Sequence, residues 1–474
     1  MQFSRIGATI GGVITDTVER RSHPAGSTPR IPGVIESSSE SRRGESRSVA
    51  VIGSGVAGLT AAYVLAKRDR VTLFEADTRL GGHAHTHHLD VDGRQVAVDT
   101  GFIVHNDRTY PTLLRLFGEL GVPTQESDMS MSIRAESSGV EYAGAKGLSG
   151  LFPSLRTATD PRYLRMLGEV LRFHRAARRL LDDAGIDGPT IAEFLARERF
   201  SDFFRDHFMT PLIAAVWSCA PDDAGDYPAR YLFTFLHHHG MLTVFGSPTW
   251  RTVTGGSATY VERIAARIDE VHKGTAVRRI TECPDGVRVV DRFGTVRNFD
   301  AVVVATHPAQ ALAMLEEPSS DARRILGAIP YSTNHAQLHT DTTVLPTRPR
   351  ARASWNYLIP REAETGVVVT YDLTRLMRIE RPADRRFLLT LNGAHRVDPR
   401  SVLAEMTYEH PIYTTTSVAA QGELSTLGSA RVTFAGAYHG WGFHEDGAAS
   451  GLRAAERIGG EWLAPRPGEL VVGA

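Results

Sequence analysis

VAVIGSGVAGLTAAYVLAKRDRVTLFEADTRLGGHAHT, residues 49–86, decides how the rest of the chain is read. Residues 49–52 are a short β-branched, apolar run of the kind that forms a buried parallel strand, and Gly53-Ser54-Gly55 breaks it abruptly. Good helix formers follow from 57 to 66, and a second buried-strand run at 71–74 ends on Glu75. The order is strand, glycine turn, helix, strand. Gly53 allows the tight turn, Gly55 lets backbone approach a pyrophosphate at the helix N-terminus, and Gly58 lets helix pack on strand. Glu75 stands where a carboxylate accepts hydrogen bonds from ribose hydroxyls.

The chain has 474 residues, enough for two or three domains, with 42% hydrophobic and 23% charged residues, the balance of a soluble globular protein. A net charge of -1 gives no global support to nucleic-acid binding. The longest apolar runs, 211–217 and 301–305, fall far short of the roughly 18–20 residues that span a bilayer. Cys219 and Cys283 are the only cysteines, which fits a reducing compartment and points to the cytoplasm. The only lysines are Lys67, Lys146 and Lys273.

Residues 1–47 are rich in Ser, Arg, Gly and Glu and read as a disordered N-terminal segment. The apolar run 6–14 could be taken for a signal peptide, but it holds three glycines and lacks a clear cleavage site. His83, His85, His87 and His88 could be taken for a metal cluster, yet no Cys or carboxylate follows at ligand spacing, so a metal-free loop or strand is expected; His237-His238-His239 is read likewise. From 110 to 245 the chain reads as largely helical. Residues 162–181 form a basic amphipathic helix, either a solvated face or an interfacial helix resting on anionic lipid headgroups. The aromatic stretch 203–217 could line an apolar cavity, although core is the safer reading. After Gly255-Gly256-Ser257 and a helix to about 268, a meander (275–281, 286–290, 295–299) leads into the buried strand 301–306. Further strands are expected at 336–340, 366–370, 386–392 and 432–436, and a last helix at 447–458. The expected fold is α/β. A discontinuous Rossmann-like FAD-binding domain (48–110, 246–308, 421–462) is interleaved with an α+β substrate domain (111–245, 309–420), and 463–474 form a tail.

GSGVAG with Glu75, RLGGH, VVVAT and FAGAYHGWGFHEDGAASGLRAAERI resemble flavoproteins of the amine oxidase and phytoene desaturase superfamily over residues 48–460. Within it, LGGH, SWNY at 354–357, NHAQLHTD at 334–341 and GAYHGWGFHEDG are similar to the oxidase-like domain associated with cyclopropane fatty acid synthases. The resemblance implies extended FAD. Gly53, Ser54, Gly55, Ala57 and Gly58 would meet the pyrophosphate, Glu75 the adenosine ribose, and Val277 the adenine, with Ala76 also in the implied cofactor set. Arg79, Gly81, Gly82 and His83 would pass under the ribityl and flavin region. Gly436 would lie by the pyrophosphate and ribityl chain, and Gly447 and Ala448 would face the pyrimidine edge at the start of the last helix. Thr100, Gly101, Ala305, Thr306 and Ala437 complete the implied set, Ala437 standing where many relatives carry an acid.

The resemblance also implies hydride transfer from a lipid or fatty acyl substrate to flavin N5, as a dehydrogenase, desaturase or oxidase. Tyr438 and His439, which follow the last strand, are the candidate catalytic groups, with His335 a third. Amine oxidases of the superfamily usually place a lysine beside N5, and none of the three lysines is well placed for that. A flavin amine oxidase, or a FAD-bound non-catalytic partner of a lipid methyltransferase, are the alternatives. Peripheral contact with a membrane is a further expectation, and no metal is expected.

Overall fold

The strand that opens the chain's motif lies at the centre of a five-stranded parallel sheet in the computed structural model. Ser48–Ile52 is flanked by Arg70–Phe74 and Glu270–His272 on one side and by Ala301–Val304 and Val432–Phe434 on the other. The residues described are 46–463 apart from 145, 184–187, 244–246, 363–365 and 381–384; the expectations for segment 1–47 and for the tail fall almost wholly outside them. Period two sends Val49, Val51, Val71, Leu73 and Val303 to one face, against the helices Val56–Leu65 and His444–Arg457. Ala50, Ile52, Phe74, Val302 and Val304 face the other way, onto the antiparallel meander Val277–Cys283, Gly286–Asp291, Val296–Phe299. A sheet covered on both faces needs apolar side chains throughout, which is why these strands read as continuous runs.

The helix Val56–Leu65 is buried along all ten residues. Two glycines allow this. A Cβ on Gly58 would stand 1.9 Å from the Gly53 carbonyl oxygen, and one on Gly451 would stand 2.1 Å from that of Ala57, so the first helix is pressed between sheet and final helix. The final helix begins at His444, three residues before the expected start. The Asp446 carboxylate accepts the Phe443 N–H at 2.9 Å, and Glu445 accepts those of Thr112 and Leu113 at 3.0 Å each, so both acids sit in the first turn, where the helix dipole favours them. Gly447 and Ala448 therefore lie in the second turn, and a Cβ on Gly447 would meet Val56 at 2.6 Å.

A second sheet runs in the order Val402–Pro411, Tyr331–His339, Leu388–Leu391, Val368–Asp372, Trp355–Ile359, Met131–Ala135, Glu141–Gly144. All its pairs are antiparallel except Trp355–Ile359 with Met131–Ala135, which is parallel. The stretch 110–245 is thus less purely helical than expected: two of its strands complete this sheet. The expected strands at 336–340, 366–370 and 386–392 are present as Tyr331–His339, Val368–Asp372 and Leu388–Leu391. One face carries Ile133, Tyr371, Leu338 and Leu391 into a core shared with the helices Pro161–Asp182, Thr210–Trp217 and Ala229–His238.

Arg205–Met209 forms a π-helical turn directly before Thr210–Trp217. Pro211 explains it. Proline lacks an N–H and its ring clashes with the carbonyl four residues back, and widening the turn frees that carbonyl. The His207 carbonyl accepts instead from the Tyr142 hydroxyl at 2.7 Å.

His105 is fully buried with neither ring nitrogen hydrogen-bonded, packed edge-on to Phe117 with 5.4 Å between ring centroids. Burial pushes its pKa down to about 4. His105→Phe keeps the ring and removes two desolvated polar atoms, so it is expected to stabilise the protein by about 1–3 kcal/mol. The gain should be larger at pH 5 than at pH 8, because only the unfolded histidine takes up a proton in that range. Thermal unfolding at both pH values checks it, and an equal or lower midpoint for the variant at pH 5 would refute it.

Candidate flavin site and substrate cavity

Between the two sheets and the helical layer lies a cavity of about 1600 Å³. Small-molecule sites commonly measure about 300–1,000 Å³, so this one has room for a dinucleotide and a second ligand together. Of the cofactor residues expected from sequence, all but Gly58, Gly81, Gly447 and Ala448 line it. Gly58, Gly447 and Ala448 belong to helix packing. Gly81, at φ +109°, shapes the neighbouring loop and donates its N–H to the Ser54 carbonyl at 3.1 Å.

One end of the cavity is built by the parallel sheet. Gly55 ends the glycine turn in ordinary extended backbone, φ -62°, and a Cβ there would meet nothing within 4 Å. The helix that starts beyond it has no side-chain cap, which leaves its positive end to face the cavity. Glu75 accepts from the Ser54 N–H and the Asp77 N–H, both at 2.8 Å, which fixes its carboxylate at the cavity wall. Arg79 pairs with Asp77 through Nε at 3.4 Å, and its Nη1 is buried with no partner. The His83 Nε2 and the Tyr438 hydroxyl are likewise buried and unpartnered on the wall.

The middle of the cavity is walled by Tyr408 and His410 from the strand Val402–Pro411. The Tyr408 hydroxyl lies 2.7 Å from Thr100 Oγ1 and 3.0 Å from His85 Nδ1. Asn334 Oδ1 accepts from Asn392 Nδ2 at 2.8 Å, which turns the Asn334 amide nitrogen toward His410 Nδ1 at 3.2 Å. His410 therefore carries its proton on Nε2, and burial pushes its pKa down to about 4, so it is a neutral N–H donor. His83 is held neutral by burial and by the neighbouring His410.

The far end is apolar. Phe208, Leu212 and Val216 form a stripe at helical spacing, only partly covered by other side chains because they face the cavity, whereas Phe204, Met209 and Ile213 pack into the core. The stretch 203–217 thus does both jobs weighed for it. Leu151, Leu167 and Val170 close this end.

Of the three candidate catalytic groups, Tyr438 lines the cavity and the others do not. His335 is exposed on Tyr331–His339, where strand alternation turns Asn334 and Ala336 inward and His335 out. His439 follows Tyr438 but points into the protein, and burial pushes its pKa down to about 4. Among the described residues no group of three or more His, Cys, Asp or Glu is arranged to hold a metal ion. In the 83–88 cluster, the His85 and His87 rings lie side by side, tilted by 32° with their centroids 4.2 Å apart. Sequence reading missed Tyr408, His410 and Trp441; the last two had a signal in their place beside aromatic and histidine-rich segments, but nothing local placed them at the cavity.

A family model, flavin containing amine oxidoreductase, matches residues 56–459. The chain belongs to that family. Among curated proteins it is 39% identical over 89 residues to an L-amino-acid oxidase of Pseudechis australis, a match to 18% of this chain and 17% of that one. The chain thus spans about a sixth of the length of such relatives. Among solved structures, cyclohexylamine oxidase from Brevibacterium oxydans superposes with a TM-score of 0.64 at 18% identity, over 87% of this chain and 99% of that one. The fatty acid isomerase from P. acnes, described as producing CLA, gives 0.60 at 17% identity, over 88% and 99%. At such identities the likeness carries the fold, an amine oxidase-like α/β architecture.

The cofactor of this family member is FAD, and the wall fits it. The open space beside Gly55 and the uncapped helix end suit a pyrophosphate, the unpartnered Arg79 Nη1 supplies positive charge, and Glu75 supplies a carboxylate for ribose hydroxyls.

Proposed function

We propose that the protein is a FAD-dependent oxidoreductase of lipid acyl chains. The observation that carries this is the apolar arm of the cavity, where Phe208, Leu212, Val216, Leu167 and Val170 make a wall of aliphatic and aromatic carbon that suits a hydrocarbon and holds no carboxylate to pair with an ammonium group. No lysine is among the residues lining the cavity. Lys67 is paired with Glu119 at 3.2 Å, and Lys146 donates to the Arg352 carbonyl at 2.7 Å. A fatty acid isomerase on the same fold adds support.

Bound FAD supplies a hydride acceptor. The chain's own residues position the substrate and keep water out. Tyr438 and His83 offer buried polar atoms that a ligand would satisfy, and the neutral His410 offers an N–H from Nε2. Anaerobic mixing of the holoenzyme with acyl substrates is expected to bleach the flavin, and amines are expected to leave it oxidised. Bleaching by amines alone would overturn this reading in favour of a flavin amine oxidase. Leu212→Trp, which fills the arm, should raise KM for long acyl chains several-fold and leave flavin content unchanged; a KM equal to that of the unaltered protein would place the substrate elsewhere.

Within the family we assign the chain to the oxidase-like group associated with cyclopropane fatty acid synthases, on the strength of GAYHGWGFHEDG and NHAQLHTD. A lipid methyltransferase is the partner this assignment calls for. If a flavin-free variant raised that partner's activity as much as the holoprotein does, the role would be that of a non-catalytic subunit.

A further inference from the structure

We infer that the helices Gly147–Leu151, Leu155–Thr159 and Pro161–Asp182 form a docking face for an anionic bilayer, set against the apolar arm of the cavity. Eight large hydrophobic side chains are exposed among the described residues, and half of them fall here: Leu148 at 76%, Leu155 at 86%, Leu164 at 44% and Leu171 at 49%. Four on three helices consecutive in the chain, the first and third tied where the Tyr163 hydroxyl donates to the Leu151 carbonyl at 2.8 Å, are a concentration that scattered exposure does not give. Leu164 and Leu171 are seven residues apart on Pro161–Asp182 and so share one side of it.

Charge selects the partner. Seven arginines and three acids lie between 147 and 182, in a chain whose overall net charge is -1. Arg165, Arg175 and Arg178 are exposed on the long helix, close around it from the two leucines. Apolar side chains bordered by guanidinium groups match a membrane interface, with leucines among the acyl chains and arginines at the phosphates. A protein partner would not require this excess of one charge.

The same helices reach the cavity. Leu167 and Val170 line it from a strip next to that of Leu164 and Leu171, and Leu151 lines it from the helix whose Leu148 is exposed. A lipid leaving the bilayer at this face would meet apolar wall without crossing water. The inference rests on the acyl-chain reading above, but the two fail separately.

The test is sedimentation of the full-length holoprotein with vesicles of phosphatidylglycerol and phosphatidylcholine, against phosphatidylcholine alone. The variant is Leu155→Glu combined with Leu164→Glu and Leu171→Glu, the first largely and the other two about half exposed, with flavin content and thermal midpoint measured alongside. Retention on the anionic vesicles should exceed that on neutral ones, weaken as salt is raised, and fall at least about tenfold in the variant. A variant that keeps its flavin and midpoint yet binds as well as the unaltered protein overturns the inference, as does failure of the unaltered protein to bind. If vesicles are not retained but detergent-dispersed acyl substrates still bleach the flavin, the docking face falls and the activity stands.

Discussion

Gly55→Val is expected to yield a folded protein without flavin, and Gly58→Ala to yield little folded protein at all. The two glycines are three residues apart in one motif and do different things. A side chain at Gly55 finds a permissive backbone and empty space, so the chain itself tolerates it. The space it enters is where the pyrophosphate would lie, and overpacking of about 1–3 kcal/mol there weakens FAD binding by one to two orders of magnitude. A methyl group at Gly58 would sit 1.9 Å from the Gly53 carbonyl oxygen, a backbone atom that cannot move without disturbing strand, turn and helix together. Flavin absorbance of the purified protein and circular dichroism separate the outcomes. A Gly55→Val protein that retains full flavin would show that the pyrophosphate lies elsewhere.

The second large effect is acid lability. His105 and His339 are fully buried with pKa values near 4. His339 shows why: Nε2 bonds Thr390 Oγ1 at 2.8 Å and Nδ1 accepts the Asp341 N–H at 3.1 Å, so a second ring proton would lose that acceptor. Above pH 6.5 such a histidine is neutral in both states, and as the pH falls toward 4 only the unfolded chain takes up the proton, so stability drains away by on the order of 3 kcal/mol each. Asp446 and Asp99 work in the opposite sense. Burial raises their carboxyls to about 7 and about 6, so they add stability as the pH falls through those values, and they roughly offset His105 and His339. The excess comes from His410, His439 and His444, pushed down to about 4, about 4 and about 3, with His83 moving the same way. Three of these four line the cavity. The thermal midpoint of the holoprotein should therefore fall between pH 6.5 and 4.5, with flavin released in the same range. A flat midpoint across that window would show that these histidines are protonated in the folded protein.

What was legible in sequence was local. The run 49–52, the glycine turn, the helix and the run ending at Glu75 each declare themselves within a few residues, and so do the meander and the buried strand 301–304. Pairings across long separations were not. Met131–Ala135 finds its parallel partner at Trp355–Ile359, and neither segment alone says so. His335 was attractive for its motif, but only the strand's register shows that it faces away. The stripe Phe208, Leu212, Val216 has the spacing of any buried helix face; whether such a stripe meets other side chains or an empty channel depends on what stands opposite. The start of the last helix was set too late: Glu445 and Asp446 belong to its first turn, where they accept from the amides of Thr112, Leu113 and Phe443, partners that no local pattern shows.

The embrace of the first helix by the last has a consequence for synthesis. Ala57 meets Gly451 across nearly the whole length of the chain, and the edge strand Val432–Phe434 joins the sheet just as late. At about 5–20 residues per second, a ribosome needs on the order of 20–80 s to travel from one to the other. Throughout that time Val56–Leu65, buried along its whole length in the folded protein, stands without its cover, and the nascent chain depends on being shielded until residues 432–457 emerge.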